Sequence, residues 1–498
     1  MTAVNSTVGR VDLGAGGWQE ARGWPTGGAL YVDNVLEELD APGEWYFDGE
    51  NITFWHNATG APPAAGAAVP VAAQLEVLIN ATGSARAPIS NLSLVGLTLT
   101  ATQPTFLSRR FRAPSGGDWS FSESAAVVLS HTVGAAVVGC AFSGLGGNGV
   151  LVAGANVGSR VERSAFSRLG ENAVVACGER GTLQDLRGHG APVGTAVVGN
   201  VFSELGAFVK QSGAFYAALS ANSTVARNIA FNLPRAAVNV NDGAFGGHVI
   251  EGNLFFGTVR ETADHGAINT WERQPYLRGF SPDGAPLLYG ATSRVTRNFL
   301  ICDGYGIHCV DHDDGSNAWL DEGNVVAWAG VKSYLGFNKT AKGNFYVRPD
   351  YSAARAPGAH PGTAAGGVPL PAGYYFPACV RSVGQFAWGA ALADTYFNNT
   401  CLLGNATDPY ILGTCDARAP AASGAVPAAG GNTYLTRGGV VAIACGGTAL
   451  TLAEAAAAGW EVGSVGESNA AYGDTAAGGA ALEGLIRRFL GLPPTQNS

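Results

Sequence analysis

The chain has 498 residues, of which 47% are apolar and 13% charged, with a formal net charge of −9. That length is too great for one compact core and requires either several domains or an elongated repeat. The apolar content argues against disorder, the lack of any apolar run of about 18 residues against a membrane span, and the acidic balance against a nucleic-acid partner. An anionic polysaccharide stays open, since a local Arg/Lys cluster would serve it.

In chain order, Glu44 to Asp48 and Ile52 to Trp55 read as a hairpin around Gly49, and the Ala/Pro/Gly-rich residues 60–71 as a loop. From about residue 90 to 345 a short segment recurs, small or Asn, then apolar, then Phe or apolar. It begins at Cys140, Ser164, Asn200, Asn228, Asn253, Asn298, Asn324 and Asn344, with spacings of 24, 36, 28, 25, 45, 26 and 20. The two long spacings hold inserted loops, 178–193 and 272–292. A second short strand follows in many repeats, as at Val150 to Val152, Ala173 to Val175, Val238 to Val240, Ile268 to Thr270 and Ile307 to Cys309. A period of 20–28 with two or three short strands and no amphipathic helix predicts an all-β, right-handed parallel β-helix. The recurring asparagines are expected to stack as a ladder at one corner. Residues 352–373 read as a further loop, and Leu452 to Gly459 and Ala480 to Leu490 as helices capping the C-terminal end. The expected division is 1–90 as an N-terminal β extension, 91–450 as the solenoid and 451–498 as the cap.

Eight cysteines are too few for a disulfide framework, though their even number permits pairing. Nine Asn-x-Ser/Thr sequons occur, at Asn5, Asn51, Asn57, Asn80, Asn91, Asn222, Asn338, Asn398 and Asn405, where composition gives about four by chance. The excess predicts a secreted glycoprotein. Met1 leads into no charged segment followed by an apolar stretch, which sets a shortened start against an intracellular chain.

Two acidic motifs stand out in this charge-poor chain: Asp264-His265-Gly266-Ala267-Ile268-Asn269-Thr270-Trp271 and Asp311-His312-Asp313-Asp314-Gly315-Ser316. The repeat places them on neighbouring coils, about 4.8 Å apart along the stack, with 272–292 bulging between them. Asp264 is expected to open one strand and Asp311, Asp313 and Asp314 to close the next. Paired carboxylates across a groove suit glycosidic-bond chemistry, one as general acid and the other as base or nucleophile. Arg273, Tyr276, Trp319 and Lys332 are expected around them, with His308 close by. Two other readings compete: Asp314-Gly315-Ser316 as a plain turn, and the aspartates as a Ca²⁺ site, although the spacing is not that of an EF-hand loop. His265, His308 and His312 do not share one face, which argues against a metal centre.

The block from Asp264 to Tyr276 resembles the Asp-His-Gly-x-x-Asn-x-Trp-x-Arg motif of right-handed β-helix proteins related to glycoside hydrolase family 141. Asp313-Asp314-Gly315-Ser316 is similar to that family's second acidic motif. Further matches are Leu39 to Tyr46, Pro114 to Trp119 and Gly463-Ser464-Val465. The resemblance implies a secreted enzyme acting on plant or algal polysaccharide, such as fucosides or xylan. Asp264 with Asp313 or Asp314 would be acid and base, and His265, Asn269, Trp271, Arg273, Tyr276, His308, Asp311 and Lys332 would line the substrate site. The expectation is a monomer that binds polysaccharide or oligosaccharide, needs no cofactor unless Ca²⁺, and has no membrane or nucleic-acid partner. A polysaccharide lyase or uronate epimerase on the same scaffold is the nearest alternative, and a non-catalytic glycan-binding surface protein the next.

Overall fold

The computed structural model describes residues 3–5, 7–12, 33–56, 64–65, 72–106, 111–112, 119–179, 190–241, 245–262, 265–272, 277–280, 282–283, 286–288, 292–304, 308–349, 378–383, 393–404, 409–413, 428–439, 441–445, 448–472, 476–489, 491 and 493. Among these residues the chain is a parallel β-helix. Three long sheets of 13, 11 and 12 strands, here called sheets I, II and III, run along it, and successive strands visit them in that order. The first strand of sheet I is Ile79–Thr82, inside the segment read as N-terminal extension. The hairpin is present as Trp45–Phe47 paired antiparallel with Ile52–Phe54, and Gly49 takes a positive φ in its turn.

Six strands position the site. In sheet I they are β1 (Val238–Asn241), β2 (Ile268–Trp271), β3 (His308–Asp313), β5 (Gly330–Tyr334) and β6 (Val380–Val383), while β4 (Asn317–Glu322) belongs to sheet II. Strand alternation divides the residues of sheet I. Val238, Ile268, Val310, Val331 and Val380 stack in register in the interior core, while the residues following each of them face outward.

The asparagine ladder is observed and extends beyond its expected end, running from Asn200 through Asn344 to Asn399 and Asn432. Asn200 Oδ1 accepts the backbone N–H of Ser164, and from Asn228 on each side-chain oxygen accepts the backbone N–H and the side-chain amide of the preceding asparagine. Asn253, for example, receives Asn228 N at 2.9 Å and Asn228 Nδ2 at 3.0 Å, and its own Nδ2 donates to Val225 O at 2.9 Å. These bonds satisfy buried polar groups where the chain turns between sheets II and III. Ser464 Oγ receives Asn432 N and ends the ladder. Inside, Phe142, Phe166 and Phe202 stack with centroids 4.4 and 5.1 Å apart.

The loop 272–292 carries its own antiparallel pair, Leu277–Phe280 with Pro286–Leu288. The loop read at 352–373 lies outside the described residues. Disulfides join Cys302 to Cys309 and Cys379 to Cys401, while Cys140 is buried in the interior core and Cys177 in the apolar layer on the outer face of sheet I. The helices are Leu452–Ala457 and Ala476–Phe489. The second differs in placement from the expected end cap. Leu482, Leu485, Ile486 and Phe489 recur at three- and four-residue spacing, and that stripe packs on Val325, Phe345 and Leu402 along the flank of sheet III. At the C-terminal edge of sheet I, Thr448–Thr451 folds back antiparallel on Ala442–Cys445. No helix among the described residues is long and apolar enough to cross a membrane.

Candidate active site

The outward face of sheet I changes character along its length. In register, Val128, Leu151, Val175 and Tyr216 are followed by Asn239, Asn269, Asp311, Lys332 and Arg381. The neighbouring outward row passes through Ala153, Cys177 and Ala218 to Asn241, Trp271 and Asp313. Polar residues therefore occupy both outer rows on the coils that carry the two acidic motifs.

Lys332 is the hub. Its Nζ lies 3.0 Å from Asp311 Oδ1 and 2.8 Å from Asp313 Oδ1, and 5.2 Å from the centre of the Tyr334 ring. Asp311 is wholly buried, and the ammonium compensates a carboxylate that would otherwise be costly to desolvate. Asp313 keeps 18% of its side chain exposed, which makes it the reachable member of the pair. The Trp271 indole donates to Asp314 Oδ2 at 3.1 Å, tying the first motif to the second across one coil step.

His265 and His308 flank this cluster. Arg235 Nη2 lies 3.2 Å from His265 Nδ1 and can only donate toward it. Arg381 Nη1 fixes His308 in the same way through Nε2 at 3.3 Å. Burial, reinforced by Lys332 with Arg235 or Arg381, holds both imidazoles well below the ordinary histidine pKa, so both rings are neutral. Asn269 lies 3.3 Å from His265 Nδ1 and donates to Asn239 at 3.0 Å. The glycine of the first motif has a steric reason. A Cβ at Gly266 would stand 2.4 Å from Cys309 O on the next coil. A bulge between His308 and Val310 shifts the register there and re-aims His308.

The structure thus gathers His265, Asn269, Trp271, His308, Asp311, Asp313, Asp314 and Lys332 on one face. Asp264, Arg273 and Tyr276 lie outside the described residues. Two expectations are corrected. Asp311 does not close its strand, because β3 continues to Asp313 and leaves Asp311 at a mid-strand outward position. Trp319 does not line the face. Alternation in β4 turns it into the interior, where its Nε1 reaches Glu272 Oε2 at 3.4 Å and its ring lies against His312. Asp313 to Ser316 do form a turn, and it carries Asp313 and Asp314 at the end of β3. Among the described residues no group of three or more His, Cys, Asp or Glu converges as metal ligands.

Sequence reasoning missed Arg235, Gln211, Asn239 and Arg381. Arg235 is fully buried, lies 3.9 Å over the Trp119 ring and donates to Gln211 Oε1 at 2.8 Å. The available signal was Val238-Asn239-Val240-Asn241, where the outward rows first turn polar.

No protein-family model matches the chain, and no curated protein matches it. Among solved structures it is similar to a glycoside hydrolase, with a TM-score of 0.48 and 17% identity over 63% of this chain and 57% of that one. It is also similar to DFA-IIIase from Arthrobacter chlorophenolicus A6 (TM-score 0.37, 16% identity, 58% of this chain and 60% of that one). A third likeness is to a mutant tailspike protein of E. coli bacteriophage HK620 solved with a hexasaccharide (TM-score 0.34, 13% identity, 63% and 47%).

Proposed function

We propose that the chain is a carbohydrate-active enzyme that hydrolyses glycosidic bonds of a polysaccharide on the outer face of sheet I, with Asp264 and either Asp313 or Asp314 as acid and base. The observation that carries this reading is the gathering of Asp311, Asp313 and Asp314 with Lys332 and the Trp271 indole on three consecutive coils of one face. Glycoside hydrolysis needs one carboxyl to protonate the leaving oxygen and another to activate water or attack the sugar. Lys332 fixes the direction of Asp313, Trp271 that of Asp314, and neutral His265 and His308 flank them as hydrogen-bonding groups. The motif resemblance supports a plant or algal polysaccharide, fucoside- or xylan-like. Two disulfides and exposed sequon asparagines at Asn51, Asn80, Asn91, Asn222 and Asn398 support a secreted chain.

The test is turnover of a panel of plant and algal glycans by wild type, Asp313→Asn and Asp314→Asn. At least one variant is expected to lose about 10²–10⁴-fold in kcat with KM little changed. Wild-type turnover by both variants would overturn the carboxylate assignment. Products absorbing in the ultraviolet, as an unsaturated sugar does, would show elimination instead of hydrolysis.

A further inference from the structure

The acid-bearing turn is held from inside the solenoid. Asp314 has φ +24° and Gly315 φ +90°, so both central residues of the turn are left-handed. Ser316 closes it, with its N–H 3.0 Å and its Oγ 2.6 Å from Asp313 O. A contact chain then runs inward. Ser316 Oγ lies 2.7 Å from Thr270 Oγ1, Thr270 Oγ1 2.9 Å from His312 Nδ1, and His312 Nε2 2.9 Å from Asp321 Oδ2. All four side chains are buried.

Counting protons decides the state of this chain. Four contacts link Asp321, His312, Thr270, Ser316 and Asp313 O, and each requires one hydrogen. A neutral imidazole and two hydroxyls supply three. The fourth is one further proton shared by Asp321 and His312, and because an imidazole is a stronger base than a carboxylate it belongs on the second ring nitrogen. With it, every contact is a hydrogen bond of one polarity, from imidazolium Nδ1–H to Thr270, from Thr270 O–H to Ser316 and from Ser316 O–H to Asp313 O, while Nε2–H meets the Asp321 carboxylate. Lys339 Nζ, 3.2 Å from Asp394 Oδ2 and 3.1 Å from Ser316 O, borders the outer end of this relay.

We propose that His312 is an interior imidazolium, paired with Asp321, that acts through Thr270 and Ser316 as the positioning residue for the Asp313–Asp314 turn. The positioning role rests on the reading of these carboxylates as catalytic; the protonation does not. Nitrogen-15 NMR of the histidine-labelled protein tests the protonation, with His312→Gln for assignment. Two bonded ring protons on His312 are expected, and a single one overturns the imidazolium. Thr270→Val and Thr270→Ser test the positioning. Valine is expected to lower kcat by about 10²-fold with KM unchanged and to shift the Trp271 indole N–H resonance, which reports on Asp314, whereas serine restores both. A valine variant that loses thermal stability but keeps kcat and the indole resonance is merely structural and overturns the role. If wild type cleaves no glycan, the functional reading fails, while the ring protons and the indole resonance still decide the relay.

Discussion

The two halves of the outer face of sheet I share one backbone ladder and differ in everything placed upon it. On the N-terminal coils, Leu151, Val175, Cys177 and Tyr216 form an apolar layer covered by Trp119 and Phe121. On the later coils the same register positions are Asn239, Asn269, Asp311, Lys332 and Arg381. The interior row changes in parallel, from Leu129, Val152 and Ala176 to Thr270, His312 and Ser333. A solenoid coil needs only its ladder bonds and a filled lumen to stack. Polar groups in both the lumen and the outer face cost stability that the fold does not demand, which is why the proposed function is put on the later coils.

The largest expected effect tests the polar half. Lys332→Met leaves the buried Asp311 carboxylate and Asp313 without their ammonium, and breaking a buried pair from one side typically costs about 3–5 kcal/mol. The variant should unfold at clearly lower denaturant concentration, and adding Asp311→Asn should recover part of the loss. Lys332→Met at wild-type stability would show that the pair is solvated, and the contrast between the halves would collapse.

The apolar half has its own ionisable weak point. Glu171 is wholly buried and accepts from Thr105 Oγ1 at 2.5 Å and Ser122 N at 3.0 Å, the latter three residues beyond Trp119. Burial pushes its carboxyl up from 4.5 to about 7. A carboxyl raised in the folded state favours the folded protein while protonated. That contribution is full below pH 4.5, falls as pH rises to about 7 and is then gone, a loss on the order of 3 kcal/mol. Glu171→Gln should remove this slope. The acid side should keep its own slope, because burial lowers His248 to about 4 and holds His265 and His308 well below their usual value. Those groups cost stability as pH falls below the unfolded histidine value of about 6.5. Chemical denaturation of both proteins across the range measures it; identical slopes would mean that Glu171 is not protonated in the fold.

The architecture was legible because it repeats. One asparagine per coil, spaced 20–28 residues apart except where loops are inserted, exposes the corner and hence the coil count and the register. The site was legible where a carboxylate broke that repetition, at Asp311 to Asp314, and where Lys332 fell one coil on. What stayed hidden depends on side-chain direction and long-range approach. Trp319 and Lys332 are both bulky residues near the motif, and only strand alternation sends one inward and the other outward. Arg235 belongs to no local pattern, and its role comes from Trp119, distant in sequence and brought over it by the fold. His312 looks like part of an outward acidic run, yet it lies between inward Thr270 and Ser333.

The corner ladder separates stability from function. It passes both halves unbroken, so Asn200, on a coil of the apolar half, and Asn324, on a coil of the site, have matching bonds. Each receives a backbone N–H or amide from one coil, gives its Nδ2 to the next asparagine, and donates to a carbonyl at 2.8–2.9 Å. Truncating either to alanine orphans a buried backbone N–H and a carbonyl, which costs about 1–3 kcal/mol per unsatisfied group. Asn200→Ala and Asn324→Ala should therefore both destabilise, Asn324→Ala somewhat more because it also loses the Asn298 amide, and in the double variant the two effects should add to within about 0.5 kcal/mol. Turnover per folded molecule should be unchanged in both, because neither touches the outer face. If Asn324→Ala alone lowered kcat, the corner would be coupled to the acid-bearing turn across the lumen, and the polar half would be one cooperative unit extending through sheet II instead of a decorated face on an indifferent scaffold.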